Sequence, residues 1–268
     1  MSGHELTMPS AEWLPLLRQL TGSSESWGIW KNTDRALAGS GDVDSAAPTR
    51  DHAELATLFY DWAEGQGLQW VIECVHAEGV LALIAVSEST WAQLDVAAES
   101  SFRGTRLFTA EDLVPLMVMD QRGFRRIREG AEGLLLFLYK GIRWGGRRMG
   151  QGLEKYGVLQ KMAGDWEGTE EAITRLGLPR APMVRAIRAA ARGRWERFPL
   201  IHAEAVMMMR GLAHPRFLLS RAASRGWGMR QCDVLKAIGA AHRISVPTWL
   251  EDVRANHTVT ALPASRRS

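Results

Sequence analysis

Residues 69–76 (QWVIECVH), 80–87 (VLALIAVS) and 91–96 (WAQLDV) form three consecutive β-prone runs, separated only by residues 77–79 and 88–90. Breaks this short can join strands only as hairpins, because a parallel crossover needs about a dozen residues or more. The spacing therefore predicts an antiparallel meander. In the third run Leu94 and Val96 face one way and Gln93 and Asp95 the other. Asp is disfavoured within strands, so Asp95 calls for a reason.

The segments around the meander complete an α+β pattern. Residues 11–21 (AEWLPLLRQLT) read as a short amphipathic helix and 27–30 (WGIW) as a short strand. Residues 32–37 suit a helical turn, Gly39-Ser40-Gly41 a break, and 42–46 a second short strand that Pro48 ends. Leu55, Leu58, Phe59 and Trp62 recur at helical spacing within 52–66. Thr109, followed three positions later by Asp112, is a helix-start signal. Beyond about residue 115 the chain reads as helical, over 131–139, 170–176, 181–192, 200–212 and 232–241. Residues 141–152 form a basic, glycine-rich loop within it. The predicted division is 1–115, 116–253 and a disordered tail over 254–268.

Charge divides the chain in a similar place. Residues 1–100 hold 4 Lys and Arg against 15 Asp and Glu, out of 33 and 30 in the whole chain. The acidic part suits metal and the basic part suits phosphate, although an arginine-rich solvated surface accounts for the second equally well. Two cysteines without a CxxC pair, Cys74 and Cys232, argue against a disulfide framework and fit a reducing cytoplasm. The longest apolar run, 80–86, is too short to span a bilayer. The histidines show no HxH or HxxxH spacing, so no transition-metal site is expected.

Asp42 and Asp44 follow the 39–41 break. On a strand they project from one face, with Val43 on the other. Two readings are open. The pair serves turn chemistry, or it holds a cation that relieves the repulsion. If the strand of Asp95 lies beside theirs, three carboxylates converge. Oxygen-only ligands in a partly hydrated site suit magnesium.

An aspartate pair on a short strand, a helix, a hairpin and a third strand Asp, in that order, resembles the nucleotidyltransferase superfamily related to DNA polymerase beta. The segment WGIWKN followed by GDVDS is closest to a branch with Lys-Gly ahead of Asp-Ile-Asp-Leu, a style shared by abortive-infection and toxin-type nucleotidyltransferases. LDVAAESSFRG resembles the third-strand segment of that branch, and the likeness covers residues 25–140. Asn32 stands where the family has Gly, and Ser45-Ala46-Ala47-Pro48 replaces the usual apolar continuation. Asn tolerates left-handed backbone geometry better than most residues.

The resemblance implies a small mixed-sheet nucleotidyltransferase core with flanking helices, followed by an α-helical domain. It implies transfer of a nucleotidyl group from an NTP to an acceptor hydroxyl, with Asp42, Asp44 and Asp95 as catalytic and Mg2+-binding residues. It places Lys31, Asn32, Thr33 and Lys140 at the nucleotide. Lys31 is equally readable as a surface charge and Thr33 as a cap, and Arg103, within reach of substrate after the third strand, reads more readily as a surface charge. The acceptor stays open between an RNA end, a small molecule and a protein side chain. The basic, Trp-bearing stretch 140–148 (KGIRWGGRR) suits single-stranded nucleic acid or a plain surface loop. The alternative is a non-catalytic binding module that keeps the fold.

Overall fold

The computed structural model describes residues 12–38, 42–77, 79–87, 91–102, 105–142, 153–154, 157–212, 215, 219 and 258–262. Its centre is the expected meander: β3 (Trp70–Ala77), β4 (Val80–Val86) and β5 (Trp91–Ala97), paired antiparallel in sequence. Gly79, at φ 73°, makes the first tight turn. Two short strands, β1 (Gly28–Lys31) and β2 (Val43–Ala46), extend the sheet beyond β5. β2 runs parallel to β5 and antiparallel to β1. The fold is α+β with a mixed sheet.

Helices α1 (Trp13–Ser23) and α3 (His52–Gly65) cover one face. Leu16, Leu17 and Leu20 of α1 and Leu55, Phe59 and Trp62 of α3 recur at helical spacing, and all are buried. They pack with Val43, Leu81, Leu83, Leu94 and Val96 from the sheet. This face carries alternate residues of β2, β4 and β5, which turns Asp44 and Asp95 to the opposite face. The short α2 (Thr33–Leu37) links β1 to β2.

A hairpin, β6 (Glu99–Phe102) and β7 (Thr105–Thr109), leads to α4 (Ala110–Leu113). Thr109 caps α4 with the expected reciprocal bonds: Asp112 N–H donates to Thr109 Oγ1, and Thr109 N–H donates to Asp112 Oδ2 at 2.7 Å.

Two expectations need correction. The chain does not turn helical after residue 115: β8 (Met117–Met119) and β9 (Arg125–Ile127) form an antiparallel pair, and β9 joins β1 in parallel. Three-residue strands, one of them carrying two arginines, offer no period-2 signal to read. Part of the 254–268 segment expected to be disordered is a strand. β10 (Thr258–Ala261) pairs antiparallel with Trp70–Glu73 of β3, and its TVTA sequence is β-prone. The full order is β10-β3-β4-β5-β2-β1-β9-β8.

Helices follow from residue 129: α5 (Glu129–Leu136), continued by the π-helical turn Phe137–Ile142, then α6 (Val158–Gly164), α7 (Trp166–Arg175), α8 (Arg180–Ala191) and α9 (Arg197–Leu212). The stretch 143–150, Arg103 and the helix expected over 232–241 lie outside the described residues. Among the described residues no helix is long and apolar enough to cross a membrane.

α5 is the buried hub of this half. Its Ala131, Leu134 and Leu135 are fully buried against residues of α6, α7 and α8. Close approach depends on two glycines. A Cβ at Gly130 would land on the Asp165 carbonyl, and one at Gly133 would come within 2.7 Å of Met162 Cγ. The Asp165 carboxylate closes the contact, accepting from Gly130 N–H at 3.0 Å and from Arg128 Nη2 at 2.6 Å.

Gly130→Ala therefore forces backbone apart and should destabilise the protein by about 1–3 kcal/mol. Gly22→Ala, in α1 with nothing within 4 Å of the added methyl, should stabilise it by up to about 1 kcal/mol. Urea unfolding midpoints check both, and equal midpoints for the two variants would contradict the packing described.

Candidate metal centre

Parallel pairing of β2 with β5 sets Asp44 directly beside Asp95. Asp42 lies two residues before Asp44, on the same face. Ligand oxygens from Asp42, Asp44 and Asp95 all lie within 4.8 Å of one another. Asp44 is 4% exposed, and the other two are half-buried. On the neighbouring β4, Ala82 sits opposite Asp95, and Cys74 of β3 sits opposite Ala82.

Lys31 reaches this face through a β-bulge. Strict alternation from Ile29 would point Lys31 into the α1–α3 core. The register shifts between Ile29 and Lys31, so that Lys31 pairs with Asp44. Trp30 and Lys31 then share the carboxylate side, with the ammonium 4.6 Å from the Trp30 ring centroid. Lys31 Nζ stands 2.7 Å from Asp44 Oδ1.

Asn32 adopts the left-handed backbone conformation, at φ 59° and ψ 23°, which Asn tolerates better than most residues. Its Nδ2 donates to Asp44 Oδ2 at 3.1 Å. Its Oδ1 is buried without a hydrogen-bond partner. A buried acceptor left unmatched is costly. This oxygen, on a side chain already bonded to Asp44, fits a cation or a hydroxyl donor far better than a phosphate. Thr33, which opens α2, is 1% exposed. Lys140 falls within Phe137–Ile142, and its side chain lies outside the described residues.

A fourth carboxylate, not anticipated in the sequence, holds the turn. Glu132 of α5 is 1% exposed. Its Oε1 accepts from Asn32 N–H at 2.7 Å, and its Oε2 accepts from Lys161 Nζ at 2.9 Å. A lone acid inside the apolar run AEGLLLFLY was the available signal, since buried carboxylates are rare unless paired. Gln93 was also missed as a partner. It is buried on β5 and donates from Nε2 to Asp95 Oδ1 at 2.9 Å.

The electrostatics follow from burial and crowding. Burial, then the neighbouring charge of Asp44, pushes the Asp95 carboxyl up to about 7, with the Gln93 bond working against them. Burial likewise raises Asp44, and the Lys31 ammonium offsets this only in part. Burial works to lower Lys31, but the charge and hydrogen bond of Asp44 outweigh it and the net direction is up. Lys31 thus stays protonated beside three acids. One ammonium offsets one carboxylate of the three. Cys74 is pushed up to about 12, mainly by burial and then by Asp95, and is an inert thiol.

No family model matches the chain, and neither a curated protein nor a solved structure does.

A carboxyl raised above its ordinary value of about 4 binds its proton more tightly folded than unfolded. Asp95 therefore contributes most to stability at low pH, and that contribution is lost as pH rises toward about 7. In chelator-containing buffer, the melting temperature of the wild type should fall relative to Asp95→Asn across this window. Parallel pH profiles for the two proteins would contradict the crowding described.

Proposed function

We propose that the protein is a magnesium-dependent nucleotidyltransferase, moving an NMP group from an NTP to an acceptor hydroxyl. The observation that carries this reading is the convergence of Asp42, Asp44 and Asp95 within 4.8 Å beside the unmatched Asn32 Oδ1. The donor set fits the ion: these are hard oxygen ligands, partly open to water, and magnesium characteristically adds substrate phosphates to one or two carboxylates. Asp42, Asp44 and Asp95 would hold it. Bound there, magnesium would neutralise the triphosphate oxygens and the charge that grows on the departing pyrophosphate.

The chain supplies the rest. Lys31, fixed by Asp44, orients that carboxylate and adds a positive charge at the edge of the cluster. Asn32 presents an acceptor oxygen to the ion or to a hydroxyl. Asp95, freed of its proton once the cation is held, would take the proton from the acceptor hydroxyl. The acceptor oxygen then bonds to the α-phosphorus as the bond from that phosphorus to pyrophosphate breaks. Positioning and charge neutralisation supply most of the rate in such a transfer. The acceptor is a hydroxyl of an RNA end, a small molecule or a protein side chain.

One observation favours a second reading. The Lys31 ammonium already occupies one oxygen of Asp44. A site balanced by lysine in place of metal would belong to a catalytically degenerate binding protein with the same fold.

Calorimetric titration of NTPs in magnesium separates the two. Nucleotidyl transfer predicts magnesium-dependent binding of at least one NTP by the wild type and its loss in Asp42→Ala/Asp44→Ala. The absence of binding for all four NTPs would favour the degenerate reading.

A further inference from the structure

On the helical half of the molecule, α8 and the segment that follows it line a concavity of about 520 Å³. Five arginines border it: Arg180, Arg185, Arg188, Arg192 and Arg194. Two of them are held by carboxylates at its rim. Arg180 Nη2 lies 2.6 Å from Glu170 Oε1, and Arg185 Nε lies 2.6 Å from Glu196 Oε2. Arg188, Arg192 and Arg194 are exposed and have no carboxylate partner among the described residues.

The sequence explains the clustering. Arg185, Arg188 and Arg192 follow one another at spacings of three and four residues, which puts them on one face of α8. The opposite face, with Met183, Ala186, Ile187 and Ala190, is buried in the helical core. Gly193, at φ 68°, ends the helix and turns Arg194 back toward the same concavity.

We propose that this concavity binds the phosphodiester backbone of a single nucleic-acid strand, without reading its sequence. A site for a small organic ligand would be mostly apolar with a few polar groups, whereas here charged side chains dominate and only Ala181, Val184 and Ala189 are apolar. The cations repeat along successive helical turns, which suits an anion whose charges also repeat. Arginine is the side chain whose planar fork fits phosphate oxygens bidentately. The two rim glutamates restrain Arg180 and Arg185, leaving the three unpaired guanidinium groups to meet phosphate. The proposal stands apart from the carboxylate centre, since strand binding requires neither magnesium nor nucleotide.

Fluorescence anisotropy of a short labelled RNA of mixed sequence, titrated with the full chain at several salt concentrations, tests it. Binding should weaken with salt. Arg188→Ala/Arg192→Ala/Arg194→Ala should bind roughly tenfold or more weakly and lower the slope of log affinity against log salt by about 2, at about 0.7 for each phosphate that an arginine no longer neutralises. Arg50→Ala, on the other half of the chain and already paired with Glu111 at 3.3 Å, should bind as the wild type does. Thermal melting of the triple variant confirms that it is folded, since the altered side chains are exposed. Unlabelled DNA of the same length should compete, whereas poly-glutamate of matched charge should compete poorly. The proposal is overturned if the wild type does not bind RNA, if the triple variant keeps wild-type affinity and slope, or if poly-glutamate competes as well as nucleic acid. The last result would assign the face to an acidic protein.

Discussion

Everything at the candidate centre depends on the parallel pairing of β2 with β5. That register, Asp44 beside Asp95, brings together two carboxylates that are far apart in sequence, with a third two residues upstream. The arrangement is unfavourable by itself, because burial and mutual repulsion both oppose charge. It persists because the opposite face of the same strands packs Val43, Leu94 and Val96 against α1 and α3. A one-residue slip would turn the carboxylates inward and those apolar side chains outward, so the core enforces the register.

The second support comes from the helical half. Glu132 bonds the Asn32 backbone from one side and Lys161 from the other. It thereby links α5 and α6 to the bulged turn that delivers Lys31. Removing one partner of such a buried pair typically costs about 3–5 kcal/mol. α5 can reach the turn because Gly130 and Gly133 let neighbouring helices close around it. The position of the Lys31 ammonium thus depends on helix packing several elements away.

Much of the site was legible in the sequence because period-2 alternation is a strong signal over several residues. The meander, the facing of Asp42 with Asp44, the outward turn of Asp95 and the Thr109–Asp112 cap all come from local pattern. What was not legible depends on residues distant in sequence. The bulge at Lys31 is defined only by its pairing with β2. Glu132 finds its partners 100 residues upstream and 29 downstream. β8 and β9, of three residues each, are too short to carry a periodic signal.

We propose that Asp42, Asp44 and Asp95 form a cation site in which burial and the Asp44 charge favour the protonated form of Asp95 before the cation binds. Proton release on magnesium binding tests this. In weakly buffered solution at roughly pH 6, below the value near 7 reached by Asp95, titration with magnesium should release a fraction of a proton approaching one per ion bound. Asp95→Asn should abolish that release. Magnesium binding without proton release, or no binding at all, would be incompatible with such a site.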